Sequence, residues 1–206
     1  MTRVLVVTGA RSLGPRRLPS SATPAEVARE LAEAPLREAW GRGLIREAME
    51  GVEVILVGDA KEGGDKWTLQ EWSSLVREDP MRSVRLMRYL TRGRDAGWVV
   101  EEDLDDEGSF DRTWTEEEDT HPLKRNEAMV NDARRIREGG FCAGEESAEV
   151  SVLALLDGTK TDTPAADGKP AKKATRGTEH TVRLARKAGL TVDAQTWRAA
   201  ERTDTP

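Results

Sequence analysis

Apolar residues in this chain fall into short unbroken runs, separated by stretches where they recur every three or four positions. Val4–Gly9, Val52–Gly58 and Val150–Leu156 are runs of the first kind, the pattern of strands buried on both faces of a parallel sheet. Trp98-Val99-Val100 and Leu190-Thr191-Val192 are shorter runs that predict two further strands. Between them the spacing is helical. Pro24 opens a predicted helix over 25–34, and Pro35 is expected to break it. From Leu36 a second helix carries Trp40, Leu44 and Ala48 on one face. Gly63, Gly64 and Asp65 precede a helix from about Trp67 to Arg77, and Met81, Val84, Leu86, Met87 and Leu90 predict another over 81–92, ending near Gly93. Pro122 starts a helix with Met129, Ala133 and Ile136 on one face, closed by Gly139-Gly140; a last helix, 178–188, stops at Gly189. This alternation predicts an α/β fold, a Rossmann-like parallel sheet of about five strands with helices on both faces.

Residues 1–192 read as one domain. Residues 157–176, rich in Thr, Asp, Pro, Ala and Lys, read as a flexible insertion, and 193–206 as a polar tail with Trp197 as its candidate for docking. The acidic stretch 101–120 reads as a solvated loop. Charged residues make up 34% of the chain and aromatics 4%, so the core must be built from Val, Leu, Ile and Ala. Of the tryptophans, Trp67, Trp72 and Trp114 suit either base stacking or core packing.

Charge and composition then narrow the function. The net charge of −6 argues against a protein that grips nucleic-acid backbone. Single-strand binding through Arg82, Arg85, Arg88, Arg92 and Arg94 stays as the third reading, against a solvated helix face. Cys142 is the only cysteine, which removes an intramolecular disulfide and a Cys-based zinc site; His121 and His180 are too few for a His-rich metal site. No metal or cofactor is therefore expected. With no long apolar stretch, neither a signal peptide nor a membrane span is expected, and the cytoplasm is the expected location. Homo-oligomerisation is left open.

The chemistry concentrates at strand ends. Arg176-Gly177-Thr178-Glu179 follows the run Val150–Leu156 and opens a helix. The first backbone N–H groups of a helix lack internal partners and the macrodipole adds positive charge, so an anion fits there. Glycine lets the backbone approach a phosphate without a Cβ in the way. Two more strand ends carry glycine, Gly9 and Gly58, and the pair Arg125-Asn126 opens a third helix. In open α/β sheets, ligands bind at the carboxyl ends of the strands.

The order of these motifs resembles the SLOG superfamily of Rossmann-like nucleotide-binding domains, specifically its YspA-related branch. The matching residues are Thr8-Gly9-Ala10-Arg11, the segment Gly58 to Asp65, Trp114 followed by Arg125-Asn126 and Met129, and the strand Val150–Leu156 followed by Gly177-Thr178. The resemblance implies binding of a nucleotide or nucleotide-derived ligand, by a sensor, sequestering protein or regulator. Domains of this branch are common in bacteriophage genomes. Relatives within the superfamily include the Lonely-guy phosphoribohydrolases and the DNA-processing A protein, which binds single strands.

On this reading Gly9, Ala10, Arg11, Gly58, Gly63, Gly64, Arg125, Asn126, Gly177 and Thr178 bind the ligand and its phosphate. Arg125 would act as a clamp through its planar fork of donors. An alternative reading is an enzyme hydrolysing a nucleotide N-glycosidic bond, with Glu179 and Asp65 as the catalytic acids. The phosphoribohydrolases place their catalytic Glu three residues after the Thr; here that position is Thr181, and the acid follows the Thr directly as Glu179. Asp65 could equally cap the helix beginning near Lys66.

Overall fold

The computed structural model describes residues 1–16, 18–81, 84–91, 98–103, 110–114, 122–139, 147–159 and 177–198, with backbone alone at 91, 98–103, 110–114 and 122. Strands β1 (Arg3–Gly9), β2 (Val54–Gly58), β3 (Arg85–Thr91), β4 (Trp98–Asp103), β5 (Phe110–Trp114), β6 (Glu149–Asp157) and β7 (Thr191–Trp197) form one sheet in the order β5-β4-β3-β2-β1-β6-β7. The five strands from β3 to β7 across that order are parallel, and β4 and β5 extend the β3 edge antiparallel. Helices α1 (Pro24–Ala48), α2 (Gly64–Glu78), α3 (Pro122–Arg137) and α4 (Gly177–Lys187) complete a Rossmann-like α/β fold.

The strand runs are continuous because both faces are covered. Leu5, Val7, Ile55, Val57, Leu86, Leu153 and Leu155 pack under Ile45 of α1 and Trp67 of α2. Val4, Val6, Val54, Leu56, Met87, Tyr89, Val150 and Val152 face Met129 and Ala133 of α3 and Ala185 of α4. Gly41 lets α2 close on α1: a Cβ there would stand 2.6 Å from Cε3 of the buried Trp67. The parallel strands reverse direction of progression between β1 and β6, the kind of switch point at which open α/β sheets generally take their ligands.

Several expectations are corrected. Pro35 does not break the first helix; α1 runs unbroken from Pro24, capped by a reciprocal Thr23–Glu26 box. Pro35 and Leu31 are exposed, so the carbonyl that loses its helical donor can turn to water. Among the described residues of 81–92, 85–91 form a strand instead of a helix: Val84, just before β3, and Leu86 pack on one face, Met87 and Tyr89 on the other. A short apolar run buried on both sides carries no periodicity that separates strand from helix, and its arginines imitated a solvated helix face. Trp98–Val100 does lie in a strand, but an antiparallel one, and the acidic stretch expected to be a loop holds the end of β4 and all of β5. The last strand runs beyond Val192 to Trp197, whose ring lies 5.6 Å from that of Trp40. Cys142, His121 and the insertion from 160 to 176 lie outside the described residues.

Candidate functional site

Two glycines set the geometry at the carboxyl end of β1. A Cβ on Gly9 would sit 2.6 Å from Cα of Gly64, and one on Gly64 would sit 2.7 Å from Cα of Gly9. Both positions exclude a side chain, so the first turn of α2 rests directly on the strand end. Gly63 turns the chain into α2 with φ +74, a conformation only glycine adopts without strain. Ala10 continues the parallel register by donating to the Leu155 carbonyl at 3.0 Å. Arg11 follows, exposed, with no side-chain partner among the described residues.

Asp65 is in the first turn of α2 rather than at its cap, and its carboxylate is buried. It reaches back to the loop after β2, where Oδ2 accepts from the Ala60 N–H at 3.1 Å. Burial pushes its pKa above the ordinary carboxylate range; the Arg125 charge and the Ala60 hydrogen bond pull against that rise, and the nearby Asp59 carboxylate adds to it.

Arg125, in the first turn of α3, is buried as well, not an exposed helix-start residue. Its Nε and Nη2 both donate to Oδ1 of Asn126, at 3.1 and 2.9 Å. Nη1 donates to Oδ1 of Asp59, and Nη2 lies 3.9 Å from Oδ2 of Asp65. Asn126 then donates through Nδ2 to Oγ1 of Thr181 at 2.9 Å, and that hydroxyl donates to the Gly177 carbonyl at 3.0 Å. One continuous chain of polar contacts thus joins the end of β2, α2, α3 and the first turn of α4. Gly58 belongs to it by absence: a Cβ there would strike Asp65 Oδ2 and stand 2.8 Å from Arg125 Nη2.

The structure therefore brings Gly9, Gly58, Gly63, Gly64, Asp65, Arg125, Asn126 and Gly177 to one edge of the sheet. Thr178 is buried in the first turn of α4. Glu179 is exposed, and no contact among the described residues joins it to Asp65. Above Gly177 there is open space, with no described atom within 4 Å of where a Cβ would stand. Trp67 is a core residue, and Trp72 spends its Nε1–H on the Val84 carbonyl at 2.9 Å. Arg85 and Arg88 belong to β3 inside the sheet and are half-buried; Arg82, Arg92 and Arg94 lie outside the described residues.

Two residues of the cluster, Asp59 and Thr181, were given no site role from the sequence. Asp59 directly follows Gly58 at a strand end, which was signal enough. Thr181 lies four residues after Gly177, the spacing at which a hydroxyl reaches a helical carbonyl. Among the described residues there is no group of His, Cys, Asp or Glu side chains fit to hold a metal, and no helix long and apolar enough to cross a membrane. No protein-family model and no curated protein matches this chain.

Proposed function

We infer that the protein binds a nucleotide or nucleotide-derived ligand along the carboxyl edge of the sheet, as a sensor, sequestering protein or regulator. The observation that carries this reading is the polar chain through Arg125 and Asn126, which ties together segments far apart in sequence at the edge where open α/β sheets take their ligands. The phosphate belongs at the first turn of α4, where free N–H groups and the helix dipole favour an anion and the space over Gly177 is open. Arg125 supplies a buried cation in the same polar chain, and the exposed Arg11, following β1, a second one.

The hydrolase reading asks for an acid beside the bond to be cleaved. Glu179 faces solvent, and Thr181, where the phosphoribohydrolases carry their glutamate, is fully buried and engaged by Asn126. Asp65 alone remains, held by the loop it organises. Binding without turnover is the better-supported reading.

Thermal unfolding against a panel of nucleoside mono- and diphosphates, cyclic nucleotides and ADP-ribose tests it. A ligand at about a hundred times its Kd stabilises the folded state by roughly 2.7 kcal/mol, a clear rise in Tm. At least one member of the panel is expected to give that rise; no shift with any of them at millimolar concentration overturns the reading.

A further inference from the structure

We propose that the outer face of α1 is a self-association surface, on which a second copy of this chain docks its own α1 antiparallel. The proposal stands independently of ligand binding.

A surface helix ordinarily turns its charges to water and its apolar stripe to the core. α1 reverses this along its middle. From Leu31 to Gly43 every exposed residue is uncharged: Leu31, Ala32, Pro35, Leu36, Ala39 and Gly43. The charged residues of the same stretch, Glu33, Arg37, Glu38 and Arg42, are buried or half-buried. They pair within the molecule, Arg37 with Glu33, and Arg42 with Glu38 and Glu71. At about 100° per residue the outward residues fall within one arc of the helix. Pro24, Ala25 and Ala28 continue that arc toward the N-terminus, all exposed. Leu31 is 72% and Leu36 60% exposed. A continuous apolar face of this kind marks a contact with a partner.

Three features make a second copy the occupant. The strip carries no charge, so its complement must be apolar too, which excludes an acidic or basic partner. It also matches itself. A two-fold axis at the midpoint of 24–43 sets Pro24 level with Gly43, Ala28 with Ala39, Leu31 with Leu36 and Ala32 with Pro35, apolar against apolar in each pair. Leu31 and Leu36 stand at opposite edges of the arc with Ala28, Ala32 and Ala39 between them, so two backbones can approach closely while the leucines close the sides. Antiparallel pairing, finally, sets the positive end of each helix dipole beside the negative end of the other.

Area sets the strength. From 24 to 43 is about 30 Å of helix, and one helix face of that length lies at the low end of specific interfaces. Pro35 adds a cost, because it leaves the Leu31 carbonyl without its helical donor and covering that oxygen strips its hydration. The dimer is therefore weak, with a Kd on the order of 10–100 µM. Each copy carries a net charge of −6, so long-range repulsion opposes the contact and added salt should tighten it.

Sedimentation equilibrium of the full chain, from about 1 µM to about 1 mM protein and at about 50 and about 500 mM NaCl, tests this. Wild type is expected to pass from monomer to dimer across that range, and at lower concentration in high salt. Leu31→Glu sets two like charges in the contact and should weaken the dimer at least about ten-fold. Met81→Glu, at a 92% exposed apolar position outside α1, should match wild type. Both positions are exposed, so neither change enters the core, and a cooperative melt shows each variant folded. Mixing Ala28→Cys with Ala39→Cys under oxidation reads the register: a disulfide between the two introduced thiols, identified by peptide mass spectrometry, is expected. Its absence, or a link between two copies of Ala28→Cys in its place, overturns the antiparallel arrangement. A monomer at every concentration and salt overturns the proposal itself. So does a dimer that Leu31→Glu leaves intact, that Met81→Glu weakens equally, or that salt dissociates.

Discussion

Two arginines are buried among the described residues, and they are buried in different ways. Arg37 of α1 is fully enclosed. Its Nε donates to the Leu13 carbonyl at 3.0 Å and its Nη2 to the Gly14 carbonyl at 3.5 Å; Glu30 takes Nη2 as well, and Glu33 lies 3.3 Å from Nη1. Glu30 in turn accepts from the Arg16 N–H at 2.8 Å, so Leu13, Gly14 and Arg16 of the segment after β1 are tied to α1. Every edge of that guanidinium is spent on backbone or on acids of its own helix. Arg125, by contrast, doubles two donors onto one amide oxygen and gives another to the Asp59 carboxylate. A buried arginine saturated by carbonyls is a clamp. Arg125 is held by side chains alone, at the carboxyl edge of the sheet where we propose the ligand binds.

The widest separation between the two should come from removing each. Arg37→Ala leaves two carbonyls and Glu30 without their cation, and breaking a buried pair from one side costs about 3–5 kcal/mol. Urea denaturation reads this directly; a loss under about 1 kcal/mol would mean the clamp is not holding the loop. Arg125→Ala should cost less, about 1–3 kcal/mol, because Asp65 is already pushed toward its neutral form and can take up a proton when the cation goes. Its larger effect should fall on nucleotide affinity, down about ten- to a hundred-fold. Arg125→Lys should recover part of that, since an ammonium cannot reproduce the fork. Arg134→Ala, exposed on the same helix, should change neither. Arg125→Ala as costly as Arg37→Ala, with affinity intact, would make both residues clamps.

Next in size is the backbone contact that seats α2. Gly9→Ala forces a methyl against the backbone of Gly64, which no rotamer change can relieve, so about 1–3 kcal/mol of stability should go. A Tm equal to that of wild type would show that the strand end and the helix can separate freely.

Why the sequence yielded one of these arginines and not the other is a matter of surroundings. Arg125 stands beside Asn126 at a helix start and between glycine-bearing strand ends, so its position in the order of motifs drew notice. Arg37 sits among Glu30, Glu33 and Glu38 in a helix that reads as a solvated surface, and nothing local says that the loop of Leu13 and Gly14 folds over it. The parallel strands β1, β2 and β6 were legible because a run buried on both faces needs only apolar residues. β3 was not, because tertiary cover, not local propensity, decides it. Within the site, the glycines and the Arg-Asn pair were visible as residues. What remained invisible was pairing: that Asp59 meets Arg125, that Asp65 bonds the loop instead of capping its helix, and that Glu179 faces away.

The acids of the two regions offer a finer test, because their pKa values move in opposite directions. Asp157, at the end of β6, is raised by burial, but the hydrogen bonds from Thr159 and the charge of Arg16 outweigh this and hold it below its ordinary 3.8. Its carboxylate therefore contributes stability above that value, lost as pH falls through its folded pKa. Asp65 is raised, so its contribution is largest when protonated and declines as pH rises from 3.8 through its folded pKa. Against wild type, Asp157→Asn should be the less stable protein at neutral pH, with the gap closing in acid. Asp65→Asn should behave inversely, gaining on wild type as pH rises. Denaturant midpoints measured from acid to neutral pH decide it, and parallel pH profiles for the two variants would erase the distinction between clamp and site.

The smallest effect on the fold should come from Gly177→Ala, and for that reason it is the sharpest probe of where the ligand sits. A methyl at Gly177 meets no described atom within 4 Å, and alanine is the better helix former by about 1 kcal/mol in a helix interior, less at a first position. Stability should therefore stay level or rise slightly. The Gly177 carbonyl still accepts from Thr181, so the polar chain to Arg125 is left whole. Only something entering the open space could feel the added methyl. If phosphate packs against the first turn of α4, the backbone must be approached closely and affinity should drop, while Gly43→Ala, equally open but on α1, should leave it unchanged. An unchanged affinity in Gly177→Ala would move the phosphate off α4 and leave Arg125 to be explained as a second clamp, like Arg37.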